Sequence, residues 1–250
     1  MELDLLPLIG LLLVSCARPA PAPAEPPLPT PTASAAPVPA PPATAPSPAA
    51  PAPTASPAPA TPEPVPEPPP APPRLPEGTV VLHIGDSMAG ALGVALNDEL
   101  KQHNVKGILR FKTASYIPGW AGGQELPLHL SQMKPDLVLI TLGTNEVKMP
   151  DPTQRAPLVK KIVKLIGDRP CVWIAPPIWT EERGLYQVIR DNVAPCRYMD
   201  TEVVYPRMPR LGDKIHPTIN ARKEWAKRVV AWLAKEREPA AGKPWALRSE

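Results

Sequence analysis

Phenylalanine occurs once and tyrosine four times in the 250 residues, and no aromatic-basic stacking array is present. That excludes the stacking platforms that hold single-stranded nucleic acid, and no DNA- or RNA-binding motif is present. The three cysteines and four histidines never fall at metal-ligand spacing, so no metal site is expected. No apolar run approaches the roughly 20 residues that a membrane-spanning helix needs.

Proline is what the chain has in excess, and it is distributed unevenly: 27 of the 42 prolines precede residue 79. Residues 17–78 are mostly Pro, Ala, Thr and Ser, with too few large apolar side chains to offset the entropy of ordering. Such a segment reads as a disordered, semi-rigid tether; at roughly 3.1 Å per residue it reaches up to about 190 Å. Residues 79–237 have the length of one compact domain, able to bury a core without metals. Residues 238–250, with Pro239, Gly242 and Pro244, read as a disordered tail. The overall charge of +3 conceals a split, because residues 1–78 hold two basic and six acidic side chains and the remainder is +7. The charges are interspersed, so this reads as a solvated mixed surface that is compatible with an anionic polymer.

Residues 1–16 end in Leu13-Val14-Ser15-Cys16 after a short apolar run, the form of a secretory signal. This ending resembles a bacterial lipobox, which implies lipidation at Cys16 and a membrane-anchored, exported envelope protein on the periplasmic or outer side. One departure is plain: the leading residues carry Glu2 and Asp4 and no Lys or Arg.

Strand and helix signals alternate through the domain. Strands are expected at Val80–Ile84, Gly107–Thr113, Asp136–Leu142, Cys171–Ala175 and Cys196–Thr201. Helices are expected at Met88–His103, Gln124–Met133, Pro157–Ile166, Glu182–Val193 and Pro217–Glu236. Trp225, Val229, Trp232 and Leu233 recur at helical spacing in the last helix and read as core. Five βα units predict an α/β fold with a five-stranded parallel sheet covered on both faces. Cys171 and Cys196 each follow a proline at a strand start. On neighbouring strands they would be either a disulfide at the amino edge or two buried thiols.

Three separated pieces carry the chemistry. Gly85-Asp86-Ser87-Met88 closes the first strand, Gly143-Thr144-Asn145-Glu146 follows the third, and Asp213-Lys214-Ile215-His216 leads into the last helix. All three belong at the carboxyl edge of the sheet, where open α/β sheets bind their ligands. Ester cleavage assigns the roles: Ser87 as nucleophile, His216 as general base and acid, Asp213 as the group that orients the imidazole. The Asn145 side-chain amide and the Ser87 backbone N–H, at a helix start, are the oxyanion donors. The nucleophile elbow Gly-x-Ser-x-Gly is absent, since Ala89 fills its last position and Gly90 comes one residue late. His83 reads as a packed structural residue, His103 and His129 as surface residues, and Asp86 as an organiser of the turn. Tyr116 and Trp120 are available either to line a pocket or to anchor a loop.

The order Gly-Asp-Ser, Gly-x-Asn, Asp-x-x-His resembles the SGNH, or GDSL, hydrolase superfamily over essentially all of residues 79–236. The resemblance implies a flavodoxin-like three-layer α/β/α sandwich and a Ser-His-Asp esterase with no metal or organic cofactor. By that likeness Ser87, His216 and Asp213 are catalytic, and Asn145 and the Ser87 amide belong to the oxyanion hole. Two features depart from the family pattern. Glu146 stands where Asp is usual, and no glycine follows the second strand in Thr113-Ala-Ser-Tyr-Ile-Pro-Gly-Trp120. Ser115 is nominated by position as the remaining donor, ahead of Gly119 and Gly122. The expected substrate is a small acyl ester, with an acetylated carbohydrate leading, on a monomeric protein. Acyl transfer to a sugar, a lysophospholipase or lipase, and a non-catalytic envelope-binding module are the alternatives.

Overall fold

A computed structural model describes residues 74–238 and 242–248. The signal, Cys16 and the tether up to residue 73 lie outside the described residues. The five strands are β1 (Val80–Gly85), β2 (Lys106–Phe111), β3 (Leu137–Thr141), β4 (Cys171–Ile174) and β5 (Arg197–Met199). They form one all-parallel sheet in the order β2-β1-β3-β4-β5.

Alternation along the strands sends side chains to two cores, as a pleat of period two requires. Leu82 and Ile84, Val138 and Ile140, and Trp173 face one layer of helices. That layer comprises α2 (Ile117–Gly122), α3 (Glu125–Met133), α4 (Ala156–Ile166) and α5 (Leu185–Asn192). Val81, Leu137 and Leu139, Val172 and Ile174 face the other, built from α1 (Ser87–Gln102) and α7 (Ile219–Glu236). A short α6 (Thr201–Val204) follows β5. Trp225, Val229 and Leu233 of α7 are fully buried against α1 and the sheet, and Trp232 packs at the edge of that cluster. The architecture is the three-layer α/β/α sandwich expected from the sequence.

Element boundaries differ where local geometry decides them. The second strand stops at Phe111, because Ala114 turns the chain with φ +55°. Glu182–Gly184 stay outside α5, which starts after Gly184 in the left-handed region. The six-residue α2 was not anticipated, since Pro118, Gly119, Gly122 and Gly123 read as a loop. Pro118 lies in its first turn, where the missing N–H costs nothing.

The tail differs most. Trp245 is fully buried and its indole Nε1 donates to Thr79 Oγ1 at 2.9 Å. Arg248 N donates to Glu236 O at 2.9 Å and Glu238 N to Ala246 O at 2.8 Å, so residues 242–248 fold back along the end of α7. At the other end Leu75 is buried as well. The domain therefore extends beyond 79–237 in both directions, and the expectation of disorder fails for 242–248. One tryptophan and one buried leucine carry no periodicity, so nothing in the sequence marks them as core. Cys171 and Cys196 are joined in a disulfide, with Cα atoms 4.6 Å apart.

The strand order positions the site. From β1 the chain runs outward to β2, then crosses back to β3 on the other flank of β1. The carboxyl ends of β1 and β3 thus border the crevice where the winding direction reverses.

Candidate active site

Gly85 ends β1 with φ +149°, and a Cβ there would lie 1.8 Å from the Thr141 carbonyl oxygen. Only glycine admits this approach of β1 to β3, which Asp86 N seals by donating to Thr141 O at 3.1 Å. Asp86 then caps α1: its Oδ1 accepts Met88 N at 2.8 Å and Thr144 Oγ1 at 3.2 Å. Its Oδ2 accepts Gly143 N at 3.2 Å and Thr144 N at 3.1 Å. Burial pushes the Asp86 carboxyl up to about 6, with these donors pulling the other way. One side chain thus fastens the Ser87 turn to the Asn145 turn, the organising role read from the sequence.

Ser87 opens α1, and its backbone N–H has no acceptor among the described residues. His216 Nε2 lies 2.9 Å from Ser87 Oγ, although 129 residues separate them in sequence. His216 Nδ1 lies 2.7 Å from Asp213 Oδ2, while Asp213 Oδ1 accepts the backbone N–H of Ile215 and of His216, both at 2.9 Å. These donors, the imidazole foremost, hold the Asp213 carboxyl down at about 2. The loop itself is held by Arg210, which donates to Ile215 O and to Ile178 O, each at 2.6 Å. Arg210 thereby ties the histidine loop to the segment after β4.

Asn145 sits in the 3-10 turn Thr144–Glu146 and is exposed. Its Nδ2 donates to Ser115 O at 2.9 Å, leaving the second amide hydrogen for another acceptor. Ser115 is therefore beside the site as expected, but it presents the opposite backbone group. Its own N–H donates to Lys112 O at 3.2 Å within the turn, which removes Ser115 as an oxyanion donor. Gly119 is excluded likewise, since its N–H donates to Tyr116 O at 3.1 Å, and Gly122 lies inside α2. Tyr116 N–H, one residue on, has no acceptor among the described residues.

Sequence reasoning missed Glu146 as a contributor. Its side chain is buried, Oε2 accepts Ile117 N at 2.9 Å, and Oε1 accepts from Arg155 Nε. It missed Trp179 too, whose Nε1 donates to Thr144 O at 3.3 Å beneath the Lys148 ammonium. His83 stays apart from this site: its Nε2 pairs with Thr141 Oγ1 at 2.8 Å, and burial lowers its imidazole to about 3. Among the described residues no cluster of three His, Cys, Asp or Glu side chains could hold a metal.

A cavity of about 550 Å³ adjoins the Asn145 turn, lined by Ser115, Tyr116, Gln124, Glu125, Lys112 and Arg155 among others. A second, of about 560 Å³, lies at the opposite edge around the disulfide, remote from this chemistry. The arrangement supplies a hydroxyl hydrogen-bonded to an imidazole, a carboxylate on the far imidazole nitrogen, and, on the residue that bears the hydroxyl, a backbone N–H with no acceptor among the described residues.

No protein-family model and no curated protein matches the sequence. Solved structures do match. The lipase/acylhydrolase from Enterococcus faecalis is 15% identical, covers 66% of this chain and 100% of its own, and superposes with a TM-score of 0.51. TesA is 18% identical over 62% of this chain and 97% of its own, with a TM-score of 0.49. An SGNH-hydrolase family esterase is 20% identical over 64% of this chain and 97% of its own, with a TM-score of 0.45.

Proposed function

We propose, from the premise that the chain has the SGNH hydrolase fold, that it is a serine esterase cleaving a small acyl ester. The observation that carries this is the Ser87–His216–Asp213 relay at 2.9 and 2.7 Å, assembled from two distant parts of the chain. His216 Nε2 takes the Ser87 proton as Oγ attacks the acyl carbon. Negative charge then develops on the carbonyl oxygen, where the Ser87 N–H and the free Asn145 amide hydrogen receive it. Collapse expels the alcohol, which leaves with the proton held by His216. Water repeats the sequence on the acyl-enzyme and regenerates the Ser87 hydroxyl. Asp213 stays ionised throughout, since its carboxyl is held far below neutral pH, and it stabilises the imidazolium.

The substrate reading is an acetylated carbohydrate. Its support is an exposed site flanked by a cavity whose lining mixes one exposed tyrosine with Gln124, Glu125 and Lys112, groups suited to sugar hydroxyls. Export with a lipid anchor at Cys16 belongs to the same reading. The Cys171–Cys196 disulfide supports it, because such bridges persist in oxidising compartments.

The test uses p-nitrophenyl acetate and a fluorophosphonate probe. Hydrolysis, with label on Ser87 and loss of both in Ser87→Ala and of turnover in His216→Ala, is expected. Turnover surviving either change overturns the assignment. Acetate release from acetylated xylan, pectin or peptidoglycan checks the substrate class. Labelled palmitate incorporated by wild type and not by Cys16→Ala checks the anchor.

A further inference from the structure

Glu146 is the one residue of its motif that departs from the family pattern, and it has partners that a solvated side chain would not need. Its carboxylate is almost completely buried, and so is most of the Arg155 side chain that pairs with it. An ion pair this dry is a poor source of stability compared with apolar packing, so its geometry has to be considered. Glu146 Oε2 accepts the first N–H of α2, Ile117 N, at 2.9 Å. That helix has no side-chain cap from Tyr116, so Glu146 supplies the missing acceptor from another segment. Its neighbour Asn145 donates to Ser115 O at 2.9 Å, two residues upstream of Ile117. Adjacent residues of one 3-10 turn therefore grip the 115–117 backbone at two points.

The two grips are mechanically linked. One Asn145 hydrogen is committed to Ser115 O, so the place of that carbonyl sets where the other hydrogen points. The carbonyl in turn is placed by the turn from Lys112, with Ala114 at φ +55°, and by the Ile117 anchor. Tyr116 N–H, between the gripped groups, is held by the same contacts. Glu is one methylene longer than Asp, and here that length spans to both Ile117 N and Arg155 Nε.

We propose that Glu146, braced by Arg155, is a positioning residue for the oxyanion side of the site: it aligns Asn145 through the 115–117 backbone. This rests on the esterase reading. Glu146 touches neither substrate nor Ser87, so its effect is on the transition state through its neighbours.

The experiment compares wild type, Glu146→Gln, Arg155→Met and Arg155→Lys in the full chain. Readouts are kcat and KM on p-nitrophenyl acetate, inhibition by a trifluoromethyl ketone, fluorophosphonate labelling and thermal melting. The ketone's hemiketal oxyanion mimics the transition state. Loss of a full oxyanion donor costs about 100- to 1,000-fold in kcat, and misalignment should cost roughly 10-fold or more. The expected result is a fall of that size in kcat for Glu146→Gln and Arg155→Met with KM within twofold. Ketone affinity should weaken in proportion, and Arg155→Lys should recover part of both. Folded variants with kcat and ketone affinity within twofold of wild type overturn the proposal. So does a fall that tracks only the folded fraction on melting, or a rise confined to KM. If wild type itself neither turns over nor labels, the esterase reading fails instead. Crystal structures of the four proteins then decide the positioning claim alone, through whether Ser115 O and the Asn145 amide have moved.

Discussion

Replacing Asn145 by Ala should separate catalysis from stability more sharply than any other single change. The side chain is exposed and makes one hydrogen bond, to Ser115 O. Losing such a bond costs about 1 kcal/mol net, which for a domain of this size lowers Tm by about 2–4 °C. On the proposed esterase reading the same deletion removes an oxyanion donor, a loss worth about 3 kcal/mol of transition-state stabilisation. At that value kcat drops by more than 100-fold, since each 1.36 kcal/mol is about tenfold. KM should change little, because the donor acts on charge absent from the ground state. Fluorophosphonate labelling of Ser87 should persist, though slowed, because the Ser87–His216 pair is untouched. The assay is steady-state hydrolysis of p-nitrophenyl acetate alongside a thermal melt. A variant that melts within a few degrees of wild type and keeps kcat within threefold would refute the role given to Asn145. A variant that simply unfolds would refute the claim that this residue is dispensable to the fold.

Two other perturbations address stability. His83 is buried with its imidazole lowered to about 3, so below its unfolded value of about 6.5 the unfolded chain takes up a proton that the native one refuses. Stability from this group is complete above that unfolded value and is lost as pH falls toward 3; at pH 5 the loss is about 2 kcal/mol. Asp86, raised to about 6, acts in the opposite sense, gaining stability as pH falls from 6 toward 3.8. His83→Gln should therefore lose less Tm than wild type between pH 7 and pH 5, and superimposable pH profiles would refute it. Trp245→Ala removes a fully buried indole and its bond to Thr79. A loss of about 3–5 kcal/mol is expected, seen as a Tm lower by roughly 10 °C. Turnover at 25 °C should be unchanged, because Thr79 precedes β1 at the edge opposite Ser87; an unchanged Tm would show that the tail does not dock.

Much of this protein was written in short local patterns. Apolar runs bounded by turn residues marked β1, β3 and β4, because a strand buried on both faces is apolar at nearly every position. The strands β2 and β5, at the two edges of the sheet, carry Lys106, Arg110 and Arg197 and were marked by their place between helical segments. Gly85-Asp86-Ser87, Gly143-Thr144-Asn145 and Asp213-Lys-Ile-His216 were each recognisable because their functional atoms lie within a few residues of a strand end or helix start. Asp86 was readable as a turn organiser for the same reason: a carboxylate just before a helix caps it.

What escaped the sequence reading was set by groups that meet only after folding. Which backbone group of Ser115 faces Asn145 depends on the turn at Ala114, with its φ of +55°, and on where the Asn145 turn lies in the fold, neither of which can be read from the local sequence. A Ser115 N–H and a Ser115 carbonyl look alike on paper, yet the folded turn commits the N–H to Lys112 O and turns the carbonyl to Asn145. Arg155 and Arg210 are ordinary loop arginines until their acceptors, on other segments, come within reach. Trp245 looked like tail because its partner, Thr79, is 166 residues away. The amino-acid sequence by itself determined the layered α/β architecture and which side chains are candidates for the chemistry, since burial patterns and chemical type are carried by each residue. Only the tertiary structure decided which backbone group of Ser115 meets Asn145, what Glu146 and Arg155 contact, and where the domain ends. Those depend on distances between segments that the linear order leaves open.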